Sequence, residues 1–351
     1  MTRPELLPII RRIYEEMCHV QRGERVLIIA DSRTPTNIVN AFFGQALTLE
    51  TNAFVLQVPV PPPPALQTSI EWSPVVTRAA SEADLIVDLA VGYADFIVEA
   101  VQRGARVISP GDGTGNEMLA EVLLRTMGPG ADITSLRREA ARVAEMFTAA
   151  SEAHVTSEAG TDLTMDLDGL VGEAADGFLW DPDRGAYKGK WELLPPAQPG
   201  VTIPAGRATG TIAVDGFVLW EPEDIEVPTT PVLIDVEEGV ITRIHGDAGF
   251  AQKLSAWLES FSPDRSVFQG PNHCNVGTNP QAKLTNHQEF ERLRGTITFG
   301  WGDSAVLAEL TGLDETQPWV ASPLHWDTMI RLPSLRLDGR IVIDRGVIRE
   351  D

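Results

Sequence analysis

A chain of 351 residues exceeds one compact domain, so two cores are expected. With 28 Lys plus Arg against 50 Asp plus Glu, the formal charge of −22 repels nucleic acid and anionic membranes, and neither is an expected partner. No stretch nears the roughly 20 apolar residues that span a bilayer, Met1 to Ile10 is not signal-like, and Cys18 and Cys274 are too few for a disulfide framework, which together predict a cytoplasmic protein.

Residues 1–150 alternate apolar β-type runs with helical runs, the pattern of a doubly wound α/β domain. Strands are predicted at Glu24 to Ala30, Ala53 to Val60, Asp84 to Val91 and Ala105 to Ser109. Apolar spacing predicts helices over Pro35 to Glu50, Ser73 to Ala83, Ala94 to Gly104, Glu117 to Thr126 and Ile133 to Ala150. Pro59 to Pro64 reads as a stiff extended loop. No Gly-x-Gly-x-x-Gly follows the first strand and no phosphate-cradling Gly-Lys-Ser/Thr loop is present, so the pattern brings no nucleotide signature.

Residues 151–351 read as an α+β domain with an antiparallel sheet. Its β-rich segments are Val155 to Leu167, Gly210 to Leu219, Val232 to Ile244 and Gly295 to Gly300, with one helix at Ala248 to Ser260 and a closing strand pair around Leu337 to Gly346.

The strongest local signal is His325-Trp326-Asp327 in the apolar-flanked run Ser322 to Ile330. On a strand, alternate side chains share a face, so an imidazole and a carboxylate converge while Trp326 packs on the other side. Alone, such a pair is more often a buried, hydrogen-bonded histidine. The turn-rich run Gly270 to Pro280 supplies a third candidate ligand, His273. Two His and one carboxylate suit an octahedral iron(II) with open positions for substrate and dioxygen, and they also suit zinc. Cys274 beside His273 is expected to point away from the ligands.

Several segments together carry a family resemblance: Gly160-Thr161-Asp162-Leu163-Thr164, Gly270 to Pro280, Gly295 to Asp303, His325-Trp326-Asp327 and Leu337-Asp338-Gly339. From about Val155 onward the chain resembles the thermophilic, leucyl aminopeptidase T-like aminopeptidases. The peptidase pattern would put a metal-binding glutamate where His273 stands and a ligand His where Thr298 stands. It would also put a carboxylate in the stretch Leu194 to Pro204, which here has none. What remains resembles the 2,5-dihydroxypyridine 5,6-dioxygenase branch of that superfamily. The resemblance implies one Fe(II) on His273, His325 and Asp327, a small aromatic or heteroaromatic substrate with O2, and ring opening between C5 and C6 to N-formylmaleamate. It also implies a homo-oligomer. A metallo-aminopeptidase or related hydrolase is the alternative.

The acid and base are sought in Asp176 to Glu192, a polar stretch with aromatics that has the composition of a lid loop. Glu192, Lys188 and Tyr187 are the candidates for proton transfer. His19, His154, His245 and His287 are expected to be structural or solvated. If a neighbouring subunit closes the site, the loops Gly92 to Phe96 and Pro110 to Asn116 are expected to reach across.

Overall fold

Arg25–Asp31, Asn52–Val58, Leu85–Asp88 and Arg106–Pro110 pair as parallel strands, with the Arg25 strand between Asn52–Val58 and Leu85–Asp88. Leu85–Asp88 and Arg106–Pro110 are buried at every position, as interior strands of a sheet covered on both faces are. The computed structural model describes residues 3–60, 70–111, 118–221, 224–285 and 289–349. His287, the four consecutive prolines 61–64 and most of the loop Pro110 to Asn116 lie outside the described residues.

Helices Thr36–Thr48, Pro74–Ser81, Asp95–Gln102, Leu119–Met127 and Ile133–Ala149 occupy the expected positions. The strand that starts at Leu85 ends before the expected Val91. The Asp88 carboxylate accepts the N–H groups of Ala90, Val91 and Gly92 and turns the chain out of the sheet. No helix among the described residues is long and apolar enough to cross a membrane.

The chain forms two compact units. The first comprises Met1–Ser135, Ala175–Pro196 and Glu309–Gly312, and the second Leu136–Ala174, Ala197–Ala308 and Leu313–Asp351. Asp176 to Glu192, expected as a lid loop, differs from that expectation. Trp180–Asp181 pairs with Ala186–Tyr187, and Trp191–Leu194 becomes a fifth parallel strand beside Arg106–Pro110 because Trp191 and Leu194 are buried there.

The second unit holds two antiparallel sheets, which with the parallel sheet of the first make a mixed α/β fold. One has seven strands, in the order Asp224–Glu226, Phe217–Glu221, His325–Ile330, Ile297–Gly302, His273–Val276, Gly200–Thr202 and Gly172–Glu173. The other has eight, and both sheets send side chains into one core, Val155, Leu163 and Ile234 from the larger and Phe299, Trp301 and Trp326 from the smaller. Three of the β-rich segments each hold two strands. Val155 to Leu167 turns between Glu152–Thr156 and Asp162–Asp166, and Val232 to Ile244 turns at Glu238 and Gly239, both at positive φ. Gly210 to Leu219 divides at Asp215-Gly216, so Ala208–Val214 belongs to the eight-stranded sheet and Phe217–Glu221 to the seven-stranded one.

Candidate metal centre

Three neighbouring strands of the seven-stranded sheet carry the centre. In register, His273 lies opposite Gly300, Gly300 opposite Asp327, and Gly302 opposite His325. Alternation sends Cys274, Phe299, Trp301 and Trp326 into the hydrophobic core, so His273, Thr298, Gly300, His325 and Asp327 turn to the opposite face. Trp326 stacks on Trp301 at 5.3 Å between ring centroids and donates its Nε1 hydrogen to Val267 O at 3.1 Å, which holds the strand between His325 and Asp327.

Gly300 lets the outer side chains meet. A Cβ at that position would stand 2.2 Å from both Cδ2 and Nε2 of His273, so the imidazole fills the space that any larger residue would need. His273 Nε2 lies 3.1 Å and His325 Nε2 lies 3.6 Å from Asp327 Oδ1. The donor atoms of the three residues all fall within 4.8 Å of one another. Neighbouring ligands at about 2.1 Å from one octahedral metal are about 3 Å apart, so these separations fit a single ion.

Electrostatics give the same fit. Burial opposes a charge on His325, yet the Asp327 carboxylate outweighs it and pushes the imidazole up to about 9. Burial likewise opposes ionisation of Asp327, but His325 and His273 hold its carboxyl well below the usual carboxylate range. Burial keeps His273 below its ordinary value. Asp327 Oδ1 is buried without a well-formed hydrogen bond among the described residues, although His273 Nε2 stands 3.1 Å away. His325 Nδ1 lies 2.7 Å from the Asp303 carbonyl, and donation there leaves Nε2 as the electron-pair donor. A cation among these atoms replaces the proton that otherwise balances Asp327.

Flanking positions on the same face are missed by sequence reasoning. Thr202 lies opposite His273, and its hydroxyl donates to Glu173 Oε1 at 2.7 Å, where burial raises the glutamate above its ordinary value. On the other side Leu219 lies opposite Asp327, and Met329 packs with Phe217 and Phe290. The face is therefore polar beside His273 and apolar beside Asp327. Only the Gly-Glu pair at Gly172–Glu173 hints at this carboxylate, because its two-residue strand gains a place only by pairing with Gly200–Thr202.

Glu192, Lys188 and Tyr187 belong to the first unit and form a cluster of their own. Lys188 Nζ lies 2.5 Å from Asp176 Oδ1 and 3.4 Å from Glu192 Oε1. Burial pushes Glu192 up to about 7, with the Lys188 charge only partly offsetting it. Tyr187 donates its hydroxyl hydrogen to His19 O and accepts from Arg106 at 2.9 Å, so its oxygen is tied into local structure. His154 and His245 pair with Asp162 and Asp235, and His19 stacks on Trp180. Cys274 lies in the core, where burial pushes its thiol up.

Two imidazoles and one carboxylate converging on a buried sheet face are a group that could hold one metal ion. The chain belongs to the NicX family, 2,5-dihydroxypyridine 5,6-dioxygenase, whose model matches residues 6–350, and it is thereby a ring-cleaving dioxygenase. A solved structure of a 2,5-dihydroxypyridine dioxygenase from Pseudomonas putida KT2440 is similar, at 19% identity and a TM-score of 0.74, covering 99% of this chain and 97% of that one. Wild-type AmpT from Thermus thermophilus is similar at 15% identity and a TM-score of 0.66, with 98% of each chain covered. Comparison with curated protein sequences gives no match.

Proposed function

We propose that His273, His325 and Asp327 hold one iron(II) and that the chain uses it with O2 to open the ring of a dihydroxylated pyridine, 2,5-dihydroxypyridine being the first candidate. The observation that carries this reading is the convergence of three donor atoms within 4.8 Å across Gly300. Thr298 stands two residues from Gly300 on the same face, where it adds no imidazole or carboxylate that would build a second metal position.

When bound, iron(II) supplies a coordination position for a substrate hydroxyl and the electrons that dioxygen accepts. Asp327 offsets the charge of the ion, and the Asp303 carbonyl keeps the His325 ring turned toward it. Leu219 and Met329 give the face an apolar side suited to an aromatic ring, while Thr202 and Glu173 give it a polar one. The proposal keeps Glu192, Lys188 and Tyr187 as proton-transfer candidates, which substitution and pH–rate profiles address. The proposal includes a cytoplasmic homo-oligomer, which sedimentation analysis addresses.

Anaerobic reconstitution with iron(II), followed by oxygen uptake with a panel of dihydroxylated pyridines and aminophenols, tests the reading. Stoichiometric uptake with loss of ring absorbance supports it. Release of amino acids from peptides with zinc or cobalt, and no oxygen uptake, would sink it.

A further inference from the structure

Besides Asp327 Oδ1, two oxygens on the face that carries His273, His325 and Asp327 have no hydrogen-bond partner among the described residues. They are Thr298 Oγ1 and Asn272 Oδ1, on residues 0% and 1% exposed. Thr298 lies one pleat from Gly300 along Ile297–Gly302, between Asn275 and Met329, so its side chain turns to the face that holds His273 and Asp327. Asn272 reaches the same place from the start of the neighbouring strand, its Oδ1 only 2.4 Å from where a Gly300 Cβ would stand and beside His273 Nε2. The amide is oriented, because Nδ2 donates to the carbonyls of Gly302 at 3.1 Å and Asp303 at 2.8 Å. Oδ1 is therefore an acceptor aimed over Gly300.

A buried hydroxyl without a partner disfavours the fold, and a strand position of this kind packs as well with valine. No group of the folded chain satisfies the hydroxyl, whereas a polar ring substituent approaching this face beside His273 would. Resting on the ring-cleavage reading, we infer that Thr298 is a substrate-recognition residue whose hydroxyl hydrogen-bonds one polar substituent of the pyridine, with Asn272 Oδ1 accepting from another. Thr298 can donate or accept and Asn272 Oδ1 can only accept, so the pair selects a ring carrying at least one protonated polar group.

The experiment is an anaerobic titration of iron(II)-loaded protein with 2,5-dihydroxypyridine, alongside metal content and melting of the metal-free protein. Thr298→Val should keep its metal, melt at or above the wild-type temperature and bind about tenfold more weakly. Thr298→Ser should bind within about twofold of wild type. Thr298→Ala provides the same loss of hydroxyl if the valine variant does not fold, and a serine variant that binds no better than alanine overturns the inference. Unchanged affinity in Thr298→Val, or a lower melting temperature that marks the hydroxyl as structural, also overturns it. Wild-type protein that binds no 2,5-dihydroxypyridine removes the proposed substrate and this inference together, whereas a tight-binding wild type matched by Thr298→Val removes this inference alone.

Discussion

Asp327 and His273 stand on strands separated by a third, yet Oδ1 and Nε2 approach to 3.1 Å because the intervening strand presents Gly300 between them. Gly300→Ala puts a methyl group 2.2 Å from the His273 ring and must displace it. Metal affinity should fall at least about tenfold, since a misaligned ligand costs that much. Chelator competition and far-ultraviolet circular dichroism separate this loss from unfolding. A variant with native affinity would show that the ring has room to move without leaving the ion.

Metal analysis of the purified protein should find about one ion per chain, as one trio of donors requires. His325→Ala should lose metal and oxygen-dependent activity together. Two tightly held ions would point instead to a hydrolytic centre of the aminopeptidase kind.

Asp327→Asn keeps the side-chain shape and removes the charge that balances the ion. Metal binding should weaken and oxygen uptake fall by roughly two orders of magnitude or more while the melting profile persists. Full iron content with near-normal turnover would exclude Asp327 as the anionic ligand.

Trp326→Phe tests the opposite face of the same strand. The substitution leaves the buried Val267 carbonyl without its donor and shrinks a side chain stacked on Trp301. Stability should fall by about 1–3 kcal/mol in denaturant titration, with metal content unchanged.

Glu192 sets a pH dependence. Burial raises it from 4.5 to about 7 in the folded chain, so the native state keeps a proton that the unfolded chain has released. Its contribution to stability is fully present below pH 4.5 and is lost as pH rises through about 7. Glu192→Gln, which does not ionise, should lose less stability than wild type between these limits, read as denaturant midpoints at each pH. If Glu192 is the general base, wild-type activity rises through pH 7 and the variant lacks that limb. Parallel stability profiles for the two proteins would place the titration elsewhere.

The amino-acid sequence by itself determined what depends on neighbours along the chain. Apolar runs alternating with helical spacing mark the strands from Arg25 to Pro110 and the helices between them, and alternation alone turns His325 and Asp327 to one side of a strand and Trp326 to the other. Turn-dense composition drew attention to His273, and the motif resemblance joined it to the pair. Only the tertiary structure decided what depends on register between distant segments. Gly300 is a plain glycine until His273 and Asp327 are aligned on either side of it, and Glu173 and Thr202 become neighbours of the centre only by pairing across the sheet. Asp176 to Glu192 has the composition of a lid, aromatics mixed with Asp, Tyr, Lys and Glu. Trp191 and Leu194 carry the burial that draws its end into a parallel sheet, and Lys188 pairs with Asp176 and Glu192 only once the chain has turned back on itself.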